Sequence, residues 1–513
     1  MRTDTLSYWI DTTVETNYPE LTEDLEVDIG IVGGGIVGIT AAHLFKNEGY
    51  KVAVIEADRI CKATTGHTTA KITSQHTLIY DKAIRTFGKD KAKEYADANE
   101  YAIRFVEGLI KKNGIECDYE KKSAYVFTQD EKHVNDIEKE AKAALSLGLP
   151  AEYTKETSLP FSVLCALRFN NQAQFHPRKY ILALAKGIPE DGSYIFENTK
   201  AVNIEKGKIC NIITSNDKRV KARNTIIASH YPFYDGKGLY FTRMYASRTY
   251  LLAFKIKETI PKGMFINVDN PGITLRSQNH RGEEILIFGG GGHKTAHGED
   301  TSVHYDSLRK MIRESFTIEE ELYHWSAQDY YTLDGIPYIG RLIADLPNVY
   351  LATGFGKWGI TNGTVAAILI KDLVTTGKSP WEKVYSPQRK ITGTGAIGFA
   401  TQNLDVAYQL VSGKLKGPED GMEIKRGEGK IIEYKGNRAG AYRDEEGKLY
   451  LVDITCTHMG CELKWNSAEK TWDCPCHGSR FKYNGDIVEG PALHPLKHPD
   501  EGRNIVEPNV FKP

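Results

Sequence analysis

The 513 residues carry 66 Lys and Arg against 67 Asp and Glu, a formal net charge of −1, so no overall field favours nucleic acid or an anionic membrane. Hydrophobic residues make up 41% and charged residues 26%, the balance of an ordinary globular chain. No apolar run approaches the roughly 20 residues of a spanning helix. The start, MRTDTLSYWIDTTVETNYPEL, lacks the apolar stretch of a secretory leader, so a soluble cytoplasmic protein without a membrane span or nucleic-acid partner is expected.

In chain order, VDIGIV at 27–32 is a short apolar run that predicts a buried strand. A glycine turn and a helical stretch, IVGITAAHLFKNEG, follow, and KVAVIE closes a strand–turn–helix–strand unit at Glu56. Helical spacing of apolar residues over 79–112 predicts one or two surface helices, and another helix is expected near 131–147. Strand signals are dense at 193–230, 248–256 and 284–289; VYLATG at 349–354 is a strand entering a glycine turn, and TVAAILIKDLV then reads as a helix. GKSPWEKVYSPQRKITGTG breaks the pattern and marks the end of the large domain. LDVAYQLVSGKL is a bridging helix, and short strands and turns from about 418 onward predict a small all-β domain. The expected division is 1–380, a linker 381–417, and 418–513.

Gly33, Gly35 and Gly38 form G-x-G-x-x-G directly after a strand. The first glycine permits the tight turn, the second lets backbone approach a pyrophosphate, and the third lets helix pack on strand. The helix N-terminus then faces the phosphates with free N–H groups, and Glu56 is placed to accept from a ribose. The same turn serves FAD or NAD.

The first 380 residues resemble the D-amino-acid-oxidase-like FAD-dependent oxidoreductases, the group that includes glycine and sarcosine oxidases. The resemblance rests on SYWIDTT, the glycine motif with Glu56, ATTGHTTAK, IECDYEKKSAYVFTQDE, AQFHPRKYILALA, NTIIASH, LDGIPYIGR and LATGFGKWGITNG. It implies an α/β FAD-binding Rossmann-like domain interleaved with an α+β substrate domain on an antiparallel sheet. It further implies oxidation of the C–N bond of an amine or amino acid, with the flavin carrying the chemistry. FAD contacts are expected from Gly33, Gly34, Gly35, Ile36, Val37, Gly38, Glu56, Ala57, Thr65, Gly66, His67, Val202, His230, Gly354, Gly356, Gly359 and Thr361. Arg276 is the candidate for a substrate carboxylate, with a surface arginine as the alternative. Lys357 and Trp358 are the candidates facing the flavin. His67 either lines the flavin or is attached to it covalently, as a histidine in a similar loop is in dimethylglycine and sarcosine dehydrogenases. His176 is read as structural. Many relatives carry an Arg where this chain reads Gln328, Asp329 and Tyr330. An inward acidic residue there suits a cationic amine, with Tyr330 and Tyr331 as cation–π partners or core packing.

Of eight cysteines, Cys61, Cys117, Cys165 and Cys210 are scattered without ligand spacing, and four cluster in CTHMGCELKWNSAEKTWDCPCHGSRF. Cys456-x-His458 and Cys474-x-x-His477 could hold zinc or a [2Fe–2S] cluster. The two remaining cysteines favour the second, because C-T-H-x-G-C and C-P-C-H-G-S resemble the paired motifs of Rieske domains. That resemblance implies ligands Cys456, His458, Cys474 and His477, a disulfide between Cys461 and Cys476, and a covering loop at GPALHPL. Respiratory Rieske proteins carry a Ser and a Tyr where this chain has Ser479 and Phe481. Phe481 donates no hydrogen bond, so a potential below the respiratory type is expected, within about −150 to +300 mV. Tyr483 is the alternative donor.

FAD takes two electrons at once and a Rieske cluster passes one, so the fusion suggests a dehydrogenase that relays electrons from a small amine or amino-acid substrate to an external acceptor. Reversed flow into a reductive or monooxygenase reaction is one alternative. A structural or redox-sensing module beside a flavin oxidase is the other.

Overall fold

A computed structural model of the chain describes residues 5–298, 300–390, 394–415 and 423–501. Strand Leu25–Val32 is buried from Ile29 to Val32 and lies at the centre of an eight-stranded sheet. It pairs in parallel with Val52–Ile55 on one side and Arg219–Ile227 on the other. Val349–Thr353 and Tyr194–Phe196 extend the parallel run at its two ends. Continuous Val and Ile runs suit strands covered on both faces.

The span 79–112 forms two helices, Tyr80–Phe87 and Lys89–Asn113, broken at Gly88, whose φ is +84°. The long one is more buried than a surface helix. Ala92, Tyr95, Ala96, Asn99, Ala102, Ile103 and Val106 recur at helical spacing on its covered face.

A second, nine-stranded sheet forms the substrate half, in the order 318–332, 244–256, 283–294, 273–280, 264–267, 120–128, 165–174 and 71–72. It is antiparallel apart from the pairing of Met264–Asn267 with Glu120–Thr128. One face of it (Leu251, Ala253, Ile285, Ile287, Trp325) packs into the large core shared with the dinucleotide half. The other face (Tyr250, Leu252, Phe254, Leu275, Leu286) closes a separate core under helix Ser302–Arg313.

A helix runs from Thr394 to Leu415, longer than the LDVAYQLVSGKL segment alone. The expected linker boundary at 417/418 lies outside the described residues. Beyond it, a three-stranded sheet (Gly429–Tyr434, Asn437–Arg443, Leu449–Asp453) and a four-stranded sheet from Lys464 to Glu489 form the small all-β domain.

Candidate flavin cradle and cluster site

The glycine turn is built by missing side chains. A Cβ on Gly33 would stand 2.4 Å from the Ala228 carbonyl oxygen, and one on Gly38 would stand 1.9 Å from the Gly33 carbonyl oxygen. Gly35 caps helix Ile36–Asn47 without a side-chain bond, and Ile36 N–H donates to Thr65 Oγ1 at 3.1 Å. Helix Gly359–Thr376 begins beside it, where a Cβ on Gly363 would meet Ile36 at 2.9 Å and Val37 at 3.3 Å. Two helix N-termini thus converge, and their dipoles favour an anion there.

Glu56 accepts from Gly34 N–H at 2.7 Å and Asp58 N–H at 3.1 Å, and burial pushes its carboxyl upward. Ala57 beside it is exposed. Val202 is half-buried on strand Ala201–Glu205, just beyond Thr199, whose N–H donates to the Glu56 carbonyl. Thr64–Gly66 forms a tight turn against Cys61, and His67 follows with Nδ1 3.0 Å from the Ala63 carbonyl oxygen. Burial lowers the His67 pKa.

Gly354, Gly356 and Lys357 all take left-handed backbone, φ +76°, +57° and +73°. For Lys357 that conformation is costly and is held by its N–H donating to Asp329 Oδ2 at 2.6 Å. Burial brings the Lys357 amine down to about 8. Trp358 stacks at 4.9 Å on His76, which burial holds near 3 and therefore neutral. His76 also meets Thr361 Oγ1 at 3.0 Å, and Thr361 donates to the Thr73 carbonyl. His176 caps helix Pro177–Lys186 and meets Thr12, a structural role.

Arg276 is 1% exposed, which excludes the surface alternative. Its cross-strand partner Ile287 belongs to the core shared with the dinucleotide half. Nη2 donates to Gln278 Oε1 at 2.6 Å, while Nε and Nη1 are buried without partners. A buried cation with unpaired N–H groups is costly unless an anion completes it. Burial lowers Arg276 to about 9, and burial with Arg276 lowers Lys71 to about 7. Lys71 Nζ donates to the Phe265 carbonyl at 2.9 Å and to Thr274 Oγ1, and nothing in the spacing of ATTGHTTAK places it near Arg276.

The cluster loops are two copies of one hydrogen-bond pattern. Cys456 N–H donates to the Cys461 carbonyl and Gly460 N–H to the Cys456 carbonyl; Cys474 N–H donates to the Ser479 carbonyl and Gly478 N–H to the Cys474 carbonyl. Gly460 and Gly478 take φ of +75° and +78°. Cys461 and Cys476 form a disulfide that ties the loops together. Both sulfurs lie with that of Cys474 within 4.8 Å, but disulfide sulfurs offer no thiolate. That leaves Cys456 and Cys474, both buried and free. The His458 and His477 rings lie 5.0 Å apart, and each has a buried Nδ1 without a partner. Two thiols and two orphaned imidazole nitrogens in a dry pocket fit the donor set of a Rieske centre.

The GPALHPL segment covers these loops: Ala492 N–H donates to Ser479 Oγ at 3.0 Å, and Thr457 Oγ1 donates to the His494 carbonyl at 2.6 Å. Phe481 is buried in the same core as the four cysteines. Tyr483 instead packs on Tyr442 and Tyr450 at 4.7 and 4.9 Å, so it is not the alternative donor.

The histidine edge of the small domain is turned toward the large one. His458 meets Tyr231 at 6.3 Å and His477 meets Phe241 at 5.9 Å. Gln328 Nε2 donates to the Gly478 carbonyl at 2.8 Å and Tyr330 Oη to the Gly490 carbonyl at 2.9 Å. His230 lies between Asp329 at 2.8 Å and Glu489 at 3.4 Å. Burial disfavours its charge, but the two carboxylates outweigh burial and raise it to about 9. Asp329 has no free face for a cationic amine: Oδ1 accepts from His230 and Tyr330 N–H, and Oδ2 from Lys357 N–H. Tyr330 is likewise spent on the interface, so the expected cation pocket is not formed by this pair.

The family model described as FAD dependent oxidoreductase matches residues 28–373. The chain belongs to that family. The Rieske [2Fe–2S] domain model matches residues 420–500. A protein of Bacillus subtilis (strain 168) named as the Rieske 2Fe–2S iron–sulfur protein YhfW is 44% identical, over 96% of this chain and 97% of its own. Gamma-glutamylputrescine oxidoreductase of Escherichia coli (strain K12) is 22% identical over 70% of this chain and 85% of its own. Glycine oxidase from Geobacillus kaustophilus superposes with a TM-score of 0.58 at 17% identity, covering 72% of this chain and all (100%) of that one. L-Amino acid deaminase from Proteus vulgaris gives 0.59 at 15% identity, covering 74% and 100%. This flavoenzyme of the amino-acid-oxidase type therefore carries FAD and a Rieske [2Fe–2S] cluster in one chain. Among the described residues no helix is long and apolar enough to cross a membrane.

Proposed function

We propose that this oxidoreductase oxidises the C–N bond of an amino acid or related amine that bears a carboxylate, and relays the electrons one at a time through its Rieske domain to an external acceptor. When bound, FAD supplies two-electron oxidation and the cluster single-electron transfer. The observation that carries the reading is the docking: His458 and His477 face Tyr231 and Phe241, so the histidine edge of the cluster site is addressed to the flavin half of the same chain. An oxidase that hands electrons straight to dioxygen has no use for that arrangement.

In this reading the buried, incompletely paired Arg276 holds the substrate carboxylate, with Lys71 adding positive charge nearby. Lys357, held by Asp329 at its N–H, keeps a cation beside the flavin loop. His67 lines the cradle non-covalently, and the glycine turn, Glu56, Thr65 and the start of helix Gly359–Thr376 orient the cofactor. Cys456, His458, Cys474 and His477 hold the cluster. Names of relatives that include glycine oxidase, L-proline dehydrogenase and L-amino acid deaminase support the substrate class.

The test is anaerobic mixing with a panel of amino acids, N-methyl amino acids and their esters while flavin absorbance is followed. Bleaching by free acids and not by esters is expected. Equal bleaching by esters, or none by any member, contradicts the proposal.

A further inference from the structure

Strand Ile318–Thr332 separates the two cofactor regions, and alternate side chains point to opposite faces. Asp329 and Tyr331 meet the flavin loop; Gln328 and Tyr330 meet the small domain. Gln328 touches both. Its carbonyl accepts from Thr64 Oγ1 at 3.2 Å, in the turn that also supplies Thr65 to the N–H of Ile36. Its side chain, 2% exposed with the whole residue, donates from Nε2 to the Gly478 carbonyl and accepts at Oε1 from Thr295 Oγ1 at 2.7 Å. Gly478 lies between His477 and Ser479 in sequence, and its N–H bonds the Cys474 carbonyl. The approach is so close that a Cβ on Gly478 would stand 2.4 Å from Ala246 Cβ and 3.1 Å from Gln328 Nε2.

We infer that Gln328 is the residue that couples the Thr64–Gly66 turn of the flavin cradle to the cluster loop electronically, through an unbroken run of covalent and hydrogen bonds from Thr64 to Gly478. Electron tunnelling weakens steeply across through-space gaps, and this run has none. The inference rests on the relay reading above and deepens it. Each crossing moves one electron and reduces one ferric ion of the cluster to ferrous. A one-electron acceptor outside the chain re-oxidises the cluster between crossings. Two crossings remove the pair taken from substrate, and the two protons released with that pair pass to solvent. Thr295 fixes the amide so that Nε2, not Oε1, faces the Gly478 carbonyl.

The test uses the full-length holoprotein and no substrate. Flavin is photoreduced with EDTA and light, and the Rieske signal is followed by freeze-quench EPR in wild type, Gln328→Met and Tyr330→Phe. Met keeps the length of Gln and cannot donate; Tyr330→Phe removes the bond to the Gly490 carbonyl and a 3.4 Å contact from Gln328 Nε2, and leaves the Gln328–Gly478 bond in place. Transfer in Gln328→Met is expected to be several-fold slower, because the bonded step to the Gly478 carbonyl becomes a through-space gap. Its cluster potential and its resistance to limited proteolysis between the domains are expected to match wild type, and Tyr330→Phe to transfer at near the wild-type rate. Wild-type transfer in Gln328→Met overturns the inference while the relay stands. Equal slowing in both variants, with the domains undocked, also overturns it and makes Gln328 a clamp. No transfer in wild type removes the relay reading and the inference together.

Discussion

The cluster site draws every candidate ligand from two like-patterned loops between Cys456 and His477, whereas the flavin cradle gathers segments from Gly33 to Thr361. The first is closed by its own disulfide and its own core. The second is closed only when the dinucleotide sheet, the substrate sheet and the turn at Gly354 come together. A local site fails all at once when one ligand goes, while a distributed site loses function by degrees. The two meet at strand Ile318–Thr332 and at Tyr231, His230 and Phe241, so damage to one is expected to reach the other through those contacts.

The sharpest way to break this contrast is Cys474→Ser. It should abolish the cluster outright, with no Rieske EPR signal, while flavin content stays near one per chain, because no flavin-cradle residue depends on that thiol. Loss of both cofactors would mean the sites are not independently built. Next in size is Arg276→Met. If Arg276 holds a substrate carboxylate as proposed, removing its buried charge should lower kcat/KM by about 100-fold. Esters should be affected little, and the cluster potential not at all.

A smaller effect is expected within the cluster core. Phe481→Tyr adds a second hydroxyl donor to a core that already holds Ser479. A hydrogen bond to a charged group is worth about 1.5 kcal/mol at the low end, which for one electron is about 60 mV upward in a redox titration. An unchanged potential would show that the added hydroxyl points away from the cluster.

The smallest effect concerns the contact between the two regions. His230 is raised from 6.5 to about 9 by Asp329 and Glu489 against the opposing burial. Its protonated form is therefore favoured in the folded state. The stabilisation is complete below about pH 6.5 and fades as pH climbs through 9. Proteolysis between the domains should speed up from pH 7 to pH 10 in wild type, and His230→Gln should flatten that dependence. A wild type equally resistant at both values would contradict this role for His230.

What could be read from the sequence follows the same division. The Cys–His motifs are short in sequence, so ligands and disulfide pairing followed from the resemblance alone. The glycine turn and Glu56 are also local. Lys71 and Arg276 lie on strands far apart in the chain, and their proximity belongs to the sheet. Gln328 and Tyr330 stand where relatives carry other residues, which suggested an altered substrate pocket; instead that departure coincides with the surface that receives the Rieske domain. Period-two alternation told which residues share a face, not what each face would meet. Helix Thr394–Leu415 was underestimated because Gly395 and Gly398 weaken helix propensity. Tertiary contacts offset this: Gln402 and Asp405 meet Lys294, Asn403 donates to the Thr242 carbonyl, and Val406 and Leu410 pack on the small-domain core.

The central claim is that substrate electrons pass from flavin to cluster within one chain. The direct measurement is low-temperature EPR after anaerobic mixing of the holoprotein with an amino acid that bleaches the flavin, with absorbance recorded on the same samples. The account predicts a reduced Rieske signal that grows as the flavin absorbance falls. A bleached flavin beside a cluster that stays oxidised, although dithionite reduces it, would contradict the account.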